Sequence, residues 1–109
     1  MTKITIFRNQ KNEYVGFSAL GHSGYADEGE DIVCAGISVR VINTINALGM
    51  YTSEKFATNQ DEKTGLITLS FKQPAGHDGE LLMNTLVLGL QGIQNNYGND
   101  YIILNFKEV

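Results

Sequence analysis

With 109 residues, 42% of them hydrophobic and 18% charged, the chain fits one compact domain with a real but modest core, and no second domain is expected. Its formal net charge of -4 opposes the attraction to phosphate that marks nucleic-acid binders, so no direct nucleic-acid partner is expected and a basic protein partner is electrostatically easier. One cysteine excludes an internal disulfide, a lone thiol without a secretory signal points to the cytoplasm, and no apolar run is read as approaching the roughly 18 residues that would span a membrane.

Lys3 to Arg8 is rich in β-branched residues, Asn9 to Glu13 is polar and turn-like, and Tyr14 to Leu20 alternates. This predicts an antiparallel hairpin with Val15, Phe17 and Ala19 on one face and Tyr14, Gly16 and Ser18 on the other. Gly21 to Glu30 has no period and carries Gly21, Gly24 and Gly29, which predicts a loop. Asp31 is then suited to cap a helix running to about Leu48, with Val33, Ile37, Val41, Ile45 and Leu48 as its apolar stripe and Gly49 as its stop. Glu54 to Asn59 and Leu66 to Lys72 predict a second hairpin across a turn at Asp61 to Gly65.

Pro74, Gly76 and Gly79 punctuate the next connection, where Asp78 can cap a second helix from about Gly79 to Asn96. Its stripe is Leu82, Leu86, Leu90, Ile93 and Tyr97, with Gly89 beside it for close packing against the first helix. Tyr101 to Phe106 closes the order β-β-α-β-β-α-β as a strand. The fold class is therefore α+β, a single domain with a mixed, mostly antiparallel sheet and two long helices.

The chemistry concentrates in Gly21 to Ser38, GHSGYADEGEDIVCAGIS, which holds the one cysteine and one of two histidines. If Asp31 is the cap, Cys34 is the third helical residue, where free amides and the helix dipole stabilise a thiolate nucleophile. The competing reading is an inert buried cysteine, which residue preference favours. Ala35 and Gly36 leave room around the thiol, and a glycine inside a helix costs about 1 kcal/mol relative to alanine, so something other than helix stability favours Gly36. His22 lies twelve residues before Cys34 and can fold back as its base, or it is a solvated loop residue; His77 is the alternative imidazole.

Asp31 orients the imidazole or only caps the helix, and Ser38, one turn beyond Cys34, bonds a substrate or bonds back to the Cys34 carbonyl. Gly21 and Gly24 support the loop, whose looseness predicts that His22 is drawn in on substrate binding. One cysteine, two histidines and scattered acids show no metal-ligand spacing and no nucleotide fingerprint, so neither metal nor cofactor is expected. Gly21-His22-Ser23-Gly24 matches a KH-type GxxG only by letters, since it follows a strand rather than joining two helices.

Gly21-His22-Ser23-Gly24-Tyr25-Ala26, then Gly29, then Asp31-Ile32-Val33-Cys34-Ala35-Gly36-Ile37-Ser38, resembles the signature of the bacterial ribosomal-processing cysteine protease family, Prp. Length and element order extend the resemblance over the whole chain, with Ser23 and Gly36 standing where alanine is more usual. The resemblance implies a cysteine endopeptidase that removes a short N-terminal extension from large-subunit ribosomal protein twenty-seven, next to aromatic residues of that extension. It also implies a His22-Cys34 dyad and a homodimer. Two other classes stay open on the residues alone: a non-enzymatic ribosome-associated binding module with a structural cysteine, and a thiol redox sensor, which would need a resolving cysteine from another chain.

Overall fold

The computed structural model describes residues 1–21 and 28–109, the side chains of 28–31 excepted. Seven elements follow one another: β1 (Thr2–Arg8), β2 (Tyr14–Leu20), α1 (Glu28–Tyr51), β3 (Phe56–Asp61), β4 (Leu66–Phe71), α2 (His77–Tyr97) and β5 (Ile102–Glu108). The strands form one sheet in the order β3-β4-β2-β1-β5. The β1–β2, β2–β4 and β3–β4 pairs are antiparallel, and β1–β5 is parallel. This is the predicted mixed α+β architecture, a single compact domain with both helices packed on one face of the sheet.

Strand alternation decides which side chains meet the helices. Thr2, Ile4 and Ile6 of β1 are buried between exposed or half-buried neighbours, and cross-strand pairing sets Ile4 against Ala19 and Ile6 against Phe17, both buried. From α1 come Val33, Ile37, Val41 and Leu48, and from α2 Met83, Leu86, Val87, Leu90 and Ile93, all buried in the same core. Spacings of three and four residues collect these side chains on one stripe per helix. Of the predicted α2 stripe, Leu82 is half-buried and Tyr97 is 46% exposed, while Met83 and Val87 take their share of the core.

In β2, Phe17 and Ala19 point inward as predicted, but Val15 does not. The register jumps between Phe7 and Arg8, so that Phe7 pairs with Gly16 and Arg8 with Tyr14, leaving Val15 as the extra residue of a bulge. The bulge turns Tyr14 into the core, where its hydroxyl donates to Asn84 Oδ1 at 2.6 Å. Arg8 stacks its guanidinium between the rings of Tyr14 and Phe106, 4.9 and 4.8 Å from their centroids, tying the bulge to β5.

The helix ends correct three expectations. α1 begins at Glu28, so Asp31 lies inside the first turn and is not the cap. It continues past Gly49 to Tyr51, where Thr52 closes it by donating its hydroxyl to the Leu48 carbonyl at 2.6 Å. α2 begins at His77 with Gly76 at the cap position, and Asp78 sits in its first turn. The free amides there are met from outside the helix: the Glu54 carboxylate accepts from Gly76 N at 2.8 Å and Gly79 N at 3.0 Å. A Cβ on Gly79 would fall 2.3 Å from that carboxylate, so the glycine is what lets Glu54 approach.

The segment Ile32–Tyr51 of α1 is, by length and composition, long and apolar enough to cross a membrane, contrary to the expectation that no such run exists. In this fold its Val33, Ile37, Val41 and Leu48 face is packed against the sheet, while Ile32, Val39, Ile42, Met50 and Tyr51 stay exposed.

Candidate active site

β2 ends at Leu20 beside the start of β1, through the pair Lys3–Leu20, and beside the start of β4, through Leu20–Leu66. Gly21 follows, and its amide donates to the Gly65 carbonyl at 3.4 Å. Gly65 adopts φ 76°, a left-handed conformation favoured by glycine, which carries its backbone against Gly21 at the end of the β3–β4 turn. The chain thus leaves the sheet from a fixed point. His22 and Gly24, and with them the expected movement of the loop, lie outside the described residues, as does the side chain of Asp31.

Cys34 is half-buried on α1, beside Val33 and one turn before Ile37 of the core stripe. Its Sγ lies 3.0 Å from Thr2 Oγ1, at the first residue of β1. Ser38, one turn further along α1, is exposed. Because α1 starts at Glu28, Cys34 is its seventh residue and not its third. At a rise of 1.5 Å per residue it stands about 9 Å along the axis from the helix start, beyond the first turn where the dipole and free amides act. The electrostatic argument for a helix-terminus thiolate therefore does not hold at this position.

Gly36 also serves a different face. Two residues beyond Cys34, it is turned by about 200° around the helix and lines a groove of about 380 Å³ between α1 and α2, with Ile32, Arg40, Gly89 and Tyr97. Arg40 crosses this seam over Gly89, whose added Cβ would come within 2.9 Å of Nε, as expected for a glycine that permits close helix packing. A Cβ on Gly36 would meet Arg40 and Ile93 at 3.6 and 3.7 Å, ordinary contacts. Gly36→Ala should accordingly raise stability by about 0.5–1 kcal/mol without slowing catalysis, as urea denaturation and a cleavage assay would record. Slowed cleavage with unchanged stability would return Gly36 to the site.

His77 is placed far from the thiol. Its ring is 91% exposed and sits 3.1 Å from Asp78 Oδ1 in the first turn of α2. The segment leading into that turn bonds to the start of β2, Ala75 N to Tyr14 O at 2.9 Å, whereas Thr2 and Cys34 lie where β2 ends. Seven strand residues separate the two ends, a span of roughly 20 Å at the ordinary rise. Among the described residues, no group of three or more His, Cys, Asp or Glu side chains could hold a metal ion.

The family model described as "Cysteine protease Prp" matches residues 1–102. The chain belongs to the cysteine protease Prp family. It is 30% identical over 107 residues to the ribosomal processing cysteine protease Prp of Staphylococcus aureus, covering 98% of this chain and all of that one. The crystal structure of the S. aureus Prp in complex with a substrate peptide superposes with a TM-score of 0.91 at 29% identity, covering 98% of this chain and all of that one. That of the same protease with a covalently linked product peptide gives 0.86 at 30% identity, with the same coverage. As a Prp protein, the chain is a cysteine protease, and the non-enzymatic binding module loses its ground.

Prp membership was visible in the residues from Gly21 to Ser38, but the Thr2 contact was not. Thr2 lies 32 positions from Cys34, and a threonine opening a strand carries no signal of what its hydroxyl will touch.

Proposed function

We propose that this Prp protein is a cytoplasmic endopeptidase that removes a short N-terminal extension from large-subunit ribosomal protein twenty-seven, with Cys34 as nucleophile and His22 as its base. The observation that carries the reading is a count joined to a position. A cysteine protease needs a thiol, and the sequence has one. That thiol stands on a helix packed into the core, beside the point where the chain leaves β2 for the segment that carries His22. Of the two histidines, His77 is held at the other end of the sheet, which leaves His22 for the proton transfers.

In this reading the Cys34 thiolate attacks the scissile carbonyl carbon, forming a C–S bond, and the C–N bond breaks as His22 gives a proton to the leaving amine. Water then adds to the thioester, His22 takes its proton, and the thiolate leaves. A peptide substrate is supported by the S. aureus relative, described with a substrate peptide and with a covalently linked product peptide. The identity of the ribosomal protein comes from the family resemblance and is consistent with an acidic enzyme meeting a basic substrate. Incubating the protein and its Cys34→Ala variant with a peptide spanning the extension, followed by mass spectrometry, tests reaction and cleavage position together.

A homodimer belongs to the same proposal. What supports it is the outer face of α1, where Ile32, Val39, Ile42 and Met50 recur at spacings of seven, three and eight and are 53%, 66%, 45% and 75% exposed. An apolar stripe along a two-turn repeat suits a second copy of the same helix. Sedimentation equilibrium should show a dimer that Val39→Glu weakens; an unchanged dimer in the variant would move the interface elsewhere.

A further inference from the structure

Thr2 is 3% exposed, and its Oγ1 lies 3.0 Å from Cys34 Sγ. Its place does not depend on the sulfur: the Thr2 amide donates to the Tyr101 carbonyl at 2.9 Å, and the residue pairs with Ile102 in the parallel β1–β5 ladder. Alternation along β1 turns its side chain to the helix side with Ile4 and Ile6. The hydroxyl is thus delivered to the sulfur by the sheet, while the sulfur is delivered by α1.

In the neutral pair either group can donate, and a thiol is a weak partner in both senses. Once Cys34 is ionised the sulfur has no proton, so Thr2 becomes the donor and the bond becomes charge-assisted and stronger. The gain therefore falls on the anion, the form that attacks. We infer that Thr2 is a positioning residue for Cys34, its hydroxyl holding Sγ in place and donating to the thiolate. This rests on the reading of Cys34 as the nucleophile.

The test is the pH profile of Cys34 alkylation by iodoacetamide, which requires no peptidase turnover, measured on the full chain and on Thr2→Val and Thr2→Ser. Removing a hydrogen bond to a charged group should move the Thr2→Val midpoint upward by about one pH unit. It should also lower kcat for the extension peptide by about tenfold, with KM little changed. Thr2→Ser keeps the hydroxyl and should restore the midpoint.

A Thr2→Val midpoint equal to that of the starting protein overturns the inference. So does a Thr2→Ser profile displaced as far as that of Thr2→Val, because packing of the γ-methyl would then be the cause. Cys34→Ala run beside them separates the two levels. If it is inactive while Thr2→Val alkylates normally, the positioning role alone fails; if it still trims the peptide, the reading of Cys34 fails and the inference falls with it.

Discussion

Replacing Cys34 by alanine is expected to abolish trimming of the extension peptide while leaving the fold in place. With Cys34 as the proposed nucleophile, the loss should reach a thousandfold or more, on the order of what nucleophile deletions cost elsewhere. Stability should hardly move. Cys34 is half-buried at the flank of the core stripe rather than within it, and its contact with Thr2 is a single weak hydrogen bond, so about 1 kcal/mol is the expected scale of the change. Product masses and a urea denaturation curve read the two effects separately. A Cys34→Ala protein that trims at the normal rate would exclude the proposed chemistry.

The largest effect on stability is expected at Gly16, well away from the thiol. A Cβ built there would lie 2.3 Å from the carbonyl oxygen of Leu69 and 3.3 Å from both the Leu69 carbonyl carbon and Ser70 Cα. β2 is hydrogen-bonded to β1 on one edge and β4 on the other, so neither strand can move aside without breaking a ladder. Gly16→Ala should cost about 3 kcal/mol or more, at or above the usual range for overpacking, seen as a lower urea midpoint with an unchanged slope. Gly92→Ala is the control, because an added Cβ there meets nothing within 4 Å. Equal stability of the two variants would contradict the close β2–β4 approach.

How far the fold could be read in advance depended on whether each signal was local. The β-branched run from Lys3 to Arg8 and the stripe of Val33, Ile37, Val41 and Leu48 lie within single elements; the run predicts a strand, and the stripe predicts a helix with the face found. Glu28, Gly29 and Glu30 carry no apolar period, so the sequence marks no helix there and places the cap at Asp31, although α1 already begins at Glu28. The bulge at Val15 is set by pairing with β1, which alternation within β2 does not contain. The acceptor at the start of α2 is 22 residues from Gly76, and the hydroxyl on the thiol is 32 residues from Cys34. Contacts of that range are products of the folded chain. The site followed the same division: the GHSGYA and DIVCA runs pointed to a family, and only the structure separated the face of Gly36 from that of Cys34.

The parallel ladder between β1 and β5 has a consequence for when this enzyme can first exist. Thr2 pairs with Ile102, so the contact that seats the first strand joins residues one hundred positions apart. Closing so long a loop carries the largest chain-entropy cost in the molecule, and contacts of that separation form late. During synthesis β1 is the first of these strands to emerge and β5 the last, and the outer neighbour of β1 is missing until Ile102–Glu108 has been made. The thiol's surroundings are then complete only after β5 has been translated.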